Sequence, residues 1–400
     1  MSSLTELPPG QEAAAPRRWW SRFGYFPLVA LLLSSIVALA VGITVDSRLV
    51  NEEETPAATR AEASSNPVDE LCRPATTPAT QEPWLTGDPG AQSVWDEHAE
   101  EIAKQYLIGP NGWIFWSDYV EQYASQAVGK RYLSVSELNR WVDYYSAVRD
   151  GLAADGIEFY IIVTPSTSSI YPEQLPDWMQ EIRGSTILDQ FMAGSKDLPV
   201  IDLRADLLSA KASTDYNLFS WSNSHWTDLG GYVGWTQIAP CVNAMFPDQS
   251  PLQVPPLDGV QITGDFNEWA PYGVASLGAD WAVPVLGGDL QPVTLTDKDG
   301  TTTVVPGESV LDASRLPAET SVESSWTGKS ALILRDSMGG ALSPYWAQGY
   351  SKTWQFYHEY GDFESFPHYR DLAAEYNPDV VILQLAERHL IQVPPAGAGY

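Results

Sequence analysis

The segment ALILRDSMGG, residues 331–340, puts a serine hydroxyl directly after an apolar run. Ala331 to Leu334 read as a buried strand. The chain then turns polar at Arg335, Asp336 and Ser337, ahead of Gly339 and Gly340. A serine just past a strand tip, with a helix starting after it, is mounted for attack. Its hydroxyl is exposed, and backbone N–H groups between Ser337 and Gly339 would converge where an oxyanion forms. Serine becomes a nucleophile only with a base in reach, most often histidine. The chain has five histidines. His98 lies in an acidic stretch that reads as a surface helix, His358 ends an apolar strand, His368 opens a helix, and His389 follows the last strand. His225 stands apart in SWSNSHWTDLGG, residues 220–231, on a loop before a helix for which Thr227 is the expected N-cap. Loops at such junctions tend to carry chemistry. Ser337 is therefore the candidate nucleophile and His225 its candidate base, with a hydrogen-bonded structural histidine as the competing reading of His225. Arg335, Asp336 and Arg388 read as a buried, mutually paired charge set, because a charge at a sheet edge is costly unless paired.

Groups so far apart in the chain need a scaffold that brings strand tips and a helix start together. A capping box, Ser134 with Glu137, opens a helix whose apolar positions Leu138, Trp141, Val142, Tyr145, Val148 and Leu152 follow helical spacing. Continuous apolar strands are expected at 158–163, 199–203, 331–335, 353–358 and 379–385, with helical segments between several of them, including 368–376. That alternation predicts a three-layer α/β/α domain around a mostly parallel sheet, spanning residues 95–392. Such sheets bind ligands at the carboxyl ends of their strands, where Ser337 would sit. Residues 255–325 break the pattern. PVTLTDKDGTTTVV reads as a hairpin turning at Asp299-Gly300, and the stretch is taken as a small β insertion or cap beside the sheet.

Residues 26–45 contain no charged side chain. Such a helix, at about 1.5 Å per residue, reaches roughly 30 Å, the thickness of the hydrocarbon layer. Arg17, Arg18 and Arg22 precede it, and Asp46, Glu52, Glu53 and Glu54 follow it. The positive-inside rule then makes residues 1–25 cytoplasmic, 26–45 a single-pass anchor and the rest extracytoplasmic. The competing reading is a cleaved signal peptide ending near Ala38-Leu39-Ala40, which exports the same domain. Residues 46–94 are rich in Ala, Thr, Pro, Glu and Ser and read as a flexible linker; residues 393–400 form a tail. Outside the membrane Cys72 and Cys241 are able to form a disulfide, and two cysteines make no zinc site. The net charge of −29 argues against nucleic acid as a partner. Hydrophobic residues make up 44 % of the chain, enough for a large core. Most of the 16 Trp and 19 Tyr should serve that core, and a few would stack on sugar rings.

DSMGG together with SHWTDLGG resembles the SGNH-hydrolase-like polysaccharide O-acetyltransferases, the alginate acetylation proteins and their relatives. IGPNGWIFWSD (108–118), VTPSTSSIYPEQLP (163–176) and NPDVVILQLAERHL (377–390) match further segments of that family in order. The resemblance implies that Ser337 accepts the acyl group and His225 is the base. It also implies an orienting acid at position 223, where this chain has Asn223. Asn at that place in a serine triad can hold the wrong imidazole tautomer and cost about 10⁴ in rate. Three outcomes stay open: Asp215 or Asp228 replaces the acid, the Asn223 carbonyl accepts the ring N–H, or the site is slow or inert. Thr167 stands where the family has Lys, Gln384 where it often has Glu, and Arg335 where many SGNH enzymes have Gly. The resemblance further implies a polysaccharide acceptor, with Trp113, Trp116, Trp226 and Tyr171 as candidate sugar contacts, and a polytopic membrane O-acyltransferase that delivers acetyl. No cofactor is expected in the domain. An esterase using the same Ser337 and His225, and a catalytically impaired glycan-binding scaffold, are the alternative readings.

Overall fold

The computed structural model describes residues 55–59, 66–74, 76, 79–275, 277–358 and 369–397. The apolar run 26–45, His368 and the start of the linker lie outside them. Among the described residues no helix is long and apolar enough to cross a membrane.

The strands are β1 (Tyr106–Ile108), β2 (Ile114–Trp116), β3 (Glu158–Thr164), β4 (Val200–Asp202), β5 (Leu257–Gly264), β6 (Trp281–Leu286), β7 (Val293–Thr296), β8 (Thr302–Val305), β9 (Ala318–Ser321), β10 (Ser330–Arg335), β11 (Lys352–Tyr357) and β12 (Val380–Ala386). The main sheet runs in the order β4-β3-β12-β10-β11-β9-β7-β8. Neighbours from β4 to β11 pair in parallel, and β9, β7 and β8 continue the sheet antiparallel.

Side chains alternate across the buried strands, so each strand feeds two cores. Tyr160, Ile162, Ala331, Ile333, Val380 and Ile382 enter one, under the helix Asp228–Met245. Phe159, Ile161, Val163, Leu332, Leu334, Val381, Leu383 and Leu385 enter the other, under the helices Val135–Ala154, Ile187–Gly194 and Tyr369–Tyr376. Burial on both faces explains why these strands read as unbroken apolar runs, and it yields the expected three layers. Both predicted caps form: Ser134 and Glu137 make the reciprocal box, and the Thr227 side chain accepts from the Gly230 N–H.

Two expectations are corrected. The stretch 255–325 is not simply a cap beside the sheet. Its β7, β8 and β9 lie in the main sheet, which is therefore mixed, and only β5 and β6 form a separate ribbon. β9 covers the edge that β11 would otherwise expose. The expected hairpin is β7-β8, turning through Asp299 and Gly300. The second correction concerns the linker. Its described residues from Asn66 onward are tied to the domain. The helix Pro67–Cys72 is joined by a Cys72–Cys241 disulfide to the helix Asp228–Met245. The Arg73 guanidinium donates to the carbonyls of Val200 (3.2 Å) and Ser195 (2.7 Å), and the Trp84 indole donates to the carbonyl of Ile182 (2.8 Å). This segment is tied down by a covalent bond and polar contacts to distant backbone, which an apolar-content criterion does not register.

Candidate active site

β10 delivers Ser337, and its neighbour β12 delivers Glu387, Arg388 and His389 to the same edge. Asp336, fully buried, ties the two ends together. Its Oδ1 accepts the Met338 N–H at 2.8 Å and its Oδ2 accepts the Ala386 N–H at 2.6 Å. Oδ2 also lies 3.0 Å from His389 Nδ1. Burial pushes the Asp336 carboxyl up, but the hydrogen bond and charge of His389, the charge of Arg388 and the Ala386 N–H outweigh it. The net position is well below the usual carboxylate range.

His225 arrives from the other side, on the turn before the helix Asp228–Met245. That helix touches the turn 337–342 closely: a Cβ on Gly231 would lie 2.5 Å from the Ala341 Cβ. The small residue in the DLGG segment is what lets the helix start, and His225 with it, approach Ser337. Two parallel hydrogen bonds join the segments. His225 Nε2 lies 2.8 Å from Ser337 Oγ, and the Trp226 indole donates to the Met338 carbonyl at 2.8 Å.

The ring's other nitrogen, Nδ1, is 2.7 Å from Asn223 Oδ1. The Asn223 amide nitrogen donates to the Phe266 carbonyl at 2.8 Å, which turns its oxygen toward the ring. An amide oxygen only accepts, so Nδ1 carries the proton and Nε2 is left as the acceptor for the serine proton. Of the three outcomes left open by Asn223, the geometry is that of the second. Asp228 opens its helix and bonds to Trp281, with its carboxyl raised by burial to about 6. Asp215 is exposed. Neither holds the His225 ring. Burial keeps His225 below the ordinary histidine value; Arg388 lowers it further, against the opposing charges of Glu268, Asp336 and Asp312. A neutral imidazole is the form able to take a proton.

The expected charge set is not mutual. Arg335, fully buried, donates to neutral oxygens: Gln355 Oε1 at 2.9 Å, the Leu311 carbonyl at 2.7 Å and the Asp336 carbonyl at 3.1 Å. Burial lowers it to about 10. Asp336 pairs with His389, and Arg388 Nε pairs with Glu121 Oε2 at 3.0 Å. Glu121 also reaches His389 at 3.4 Å. Sequence reasoning missed Glu121 and set His389 aside. Glu121 and Gln122 both adopt positive φ, at 51° and 53°, a cost borne where side chains must be aimed. Gln384 accepts the Asp336 N–H at 3.2 Å and donates to Thr164 Oγ1 at 3.0 Å. Gly339 is required beneath the turn: a Cβ there would lie 2.6 Å from both Arg335 Cδ and Gln384 Oε1. Because the Met338 N–H is committed to Asp336, it is not available to an oxyanion.

Three of the four aromatic sugar-contact candidates are core. Trp113 stacks on Tyr171 at 4.6 Å, the Tyr171 hydroxyl accepts the Leu218 N–H, and Trp226 is 1 % exposed. Trp116 alone of the four is half-buried, edge-on to Trp269 at 4.3 Å. A cleft of about 550 Å³ beside Glu158 and Phe159 lies at the opposite edge of the sheet and contains none of the site residues.

A serine–histidine pair at the carboxyl edge of a three-layer α/β domain is an arrangement that several classes of serine-nucleophile protein share. The model for "SGNH hydrolase-like domain, acetyltransferase AlgX" matches residues 107–366, and the chain belongs to that family. No curated protein matches. Similar solved structures include Bacillus cereus PatB1, 17 % identical over 71 % of this chain and 96 % of that one, with a TM-score of 0.48. The O-acetyltransferase domain of Pseudomonas putida AlgJ is 18 % identical over 73 % of this chain and 94 % of that one, with a TM-score of 0.42. A DHHW family protein from Eubacterium siraeum is 12 % identical over 73 % and 93 %, with a TM-score of 0.48.

Proposed function

We propose that this protein is a membrane-anchored, extracytoplasmic O-acetyltransferase that modifies a cell-surface or exported polysaccharide through an acyl-serine. The observation that carries the reading is the Asn223–His225–Ser337 chain of hydrogen bonds. His225 Nε2 takes the Ser337 proton as Oγ attacks the donor's carbonyl carbon. The tetrahedral adduct collapses, the imidazolium returns its proton to the leaving group, and acetyl remains on Ser337. A sugar hydroxyl then loses its proton to His225 and attacks the acyl-serine; the acyl–Oγ bond breaks, His225 returns the proton to Ser337 Oγ, and the sugar leaves with the acetyl group. Asn223 keeps the ring in the productive tautomer throughout.

Acetyl thioesters are made in the cytoplasm, so an exported transferase needs a membrane partner to pass acetyl outward; a polytopic O-acyltransferase fits that role. The Cys72–Cys241 disulfide supports an oxidising compartment, and the charge asymmetry around residues 26–45 supports an outward-facing domain.

A chromogenic acetyl ester tests the reading. Turnover by the wild type, absent in Ser337→Ala, with a 42 Da adduct on Ser337 by mass spectrometry, is the expected result. Acetyl recovered on added oligosaccharide supports transfer, and acetyl released only to water supports the esterase. No turnover and no trapped adduct, with glycan binding retained, would leave the scaffold reading. Protection from external protease of a tag placed after residue 60 in intact cells would remove the export premise.

A further inference from the structure

The loop that carries the base is braced by the insertion. Ser220 Oγ and the Trp221 N–H donate to the two oxygens of Asp280, at 2.9 and 2.7 Å. Three consecutive residues beyond them are each bonded to the segment 266–268. The Ser222 carbonyl accepts the Glu268 N–H at 3.0 Å, Asn223 donates to the Phe266 carbonyl, and the Ser224 N–H donates to Glu268 Oε2 at 2.7 Å. That segment is itself anchored. Trp269 is fully buried, and Asn267 closes the following turn by accepting the Trp269 N–H and donating to the Val274 carbonyl.

We infer that Glu268 is a positioning residue that takes over, from one residue beyond the ring's own partner, the two duties of the carboxylate absent from position 223. It fixes the loop carrying His225, and it supplies the negative charge that favours the imidazolium formed as Ser337 attacks. This inference rests on the reading of His225 as the base. The amide of Asn223 selects the tautomer but carries no charge; Glu268 carries the charge but does not bond to the ring. The other charges facing His225 are Arg388, which opposes the imidazolium, and Asp336 and Asp312, which favour it. Asp336 is already engaged by His389 and two backbone N–H groups, and Asp312 accepts the Ser314 N–H on its own turn. Of these carboxylates Glu268 is the one hydrogen-bonded to Ser224, the residue preceding His225.

The experiment is Glu268→Gln in the full chain. Glutamine keeps an oxygen to accept the Ser224 N–H and removes only the charge. The His225 ring, followed by NMR in wild type and variant, is expected to titrate roughly half a unit to one unit lower in the variant. The acid limb of kcat/KM for the acetyl ester should move down by the same amount, and kcat should fall about three- to tenfold with KM unchanged. Adding Asn223→Asp to the variant restores a charge and should return both quantities toward wild type. An unmoved His225 titration in a folded Glu268→Gln protein overturns the inference. Because the ring titration does not need turnover, an inactive wild type would defeat the proposed reaction while Glu268 is still tested.

Discussion

Replacing Asn223 by alanine tests whether a neutral side chain orients the base. The Asn223 side chain makes three hydrogen bonds: Oδ1 accepts from His225 Nδ1 at 2.7 Å and from the His225 backbone N–H at 3.0 Å, and Nδ2 donates to the Phe266 carbonyl at 2.8 Å. Asn223 is half-buried, so water can satisfy only part of the freed backbone groups, and the stability loss should be about 1–2 kcal/mol. The rate loss is larger. The bond to Nδ1 becomes charge-assisted as the imidazolium forms, and such bonds contribute about 1.5–3 kcal/mol. That corresponds to a fall in kcat of roughly 10- to 150-fold. The assay is acetyl-ester turnover with kcat and KM separated, alongside the thermal midpoint. The signature is a large drop in kcat with KM and the midpoint nearly unchanged. Asn223→Asp is the informative companion. It would stabilise the imidazolium, but it replaces the donor to the Phe266 carbonyl with a second acceptor and places a carboxylate beside Glu268. Its gain in kcat should therefore stay below about tenfold. A kcat for Asn223→Ala within twofold of wild type would refute the orienting role and, with it, the catalytic relay.

Other outcomes follow from the same geometry. Gly231→Ala brings a Cβ to 2.5 Å from that of Ala341, so the helix bearing the base must retreat by about 1 Å. Misplacement on that scale can cost about 100-fold in rate; adding Ala341→Gly should recover part of it, and a fully active Gly231→Ala would show that the close approach is dispensable. Cys72→Ser removes a staple spanning 169 residues of sequence, with an expected loss of about 2–5 kcal/mol in denaturant unfolding and little change in kcat. Asp336 and His389 give the fold opposite pH slopes. The carboxyl of Asp336 is depressed from 3.8, so its contribution is present above that value and lost as pH falls below it. His389 is raised from 6.5 against the lowering effect of its burial, chiefly by its hydrogen bonds to Asp336 and Glu121. Its contribution is complete below 6.5 and lost as pH climbs through the higher folded value. Thermal midpoints measured across that upper range should decline in wild type and flatten in His389→Gln; an unchanged slope would dismiss the His389 pairing.

Much of this architecture is legible in local patterns because its causes are local. A strand buried on both faces must be apolar throughout, so β3, β10 and β12 declare themselves. A capping box and a Thr N-cap act within one helical turn, so Ser134, Glu137 and Thr227 mark their helix starts wherever the helices end up. A serine after a strand and a histidine before a helix likewise announce the two halves of a site. The misreadings share an opposite cause. The folded part of the linker is held by a disulfide and by bonds to carbonyls more than a hundred positions away.

The chain alone determined the elements, their order and the reactive residue types, because periodicity, caps and turn chemistry depend on neighbours in sequence. Only the tertiary structure decided who partners whom. It gave Asn223 to His225 with Phe266 behind it, His389 to Asp336, neutral oxygens to Arg335, and core positions to Trp113, Trp226 and Tyr171. Each of those choices depends on a distance of a few ångströms between segments that only the assembled sheet and its covering helices bring together.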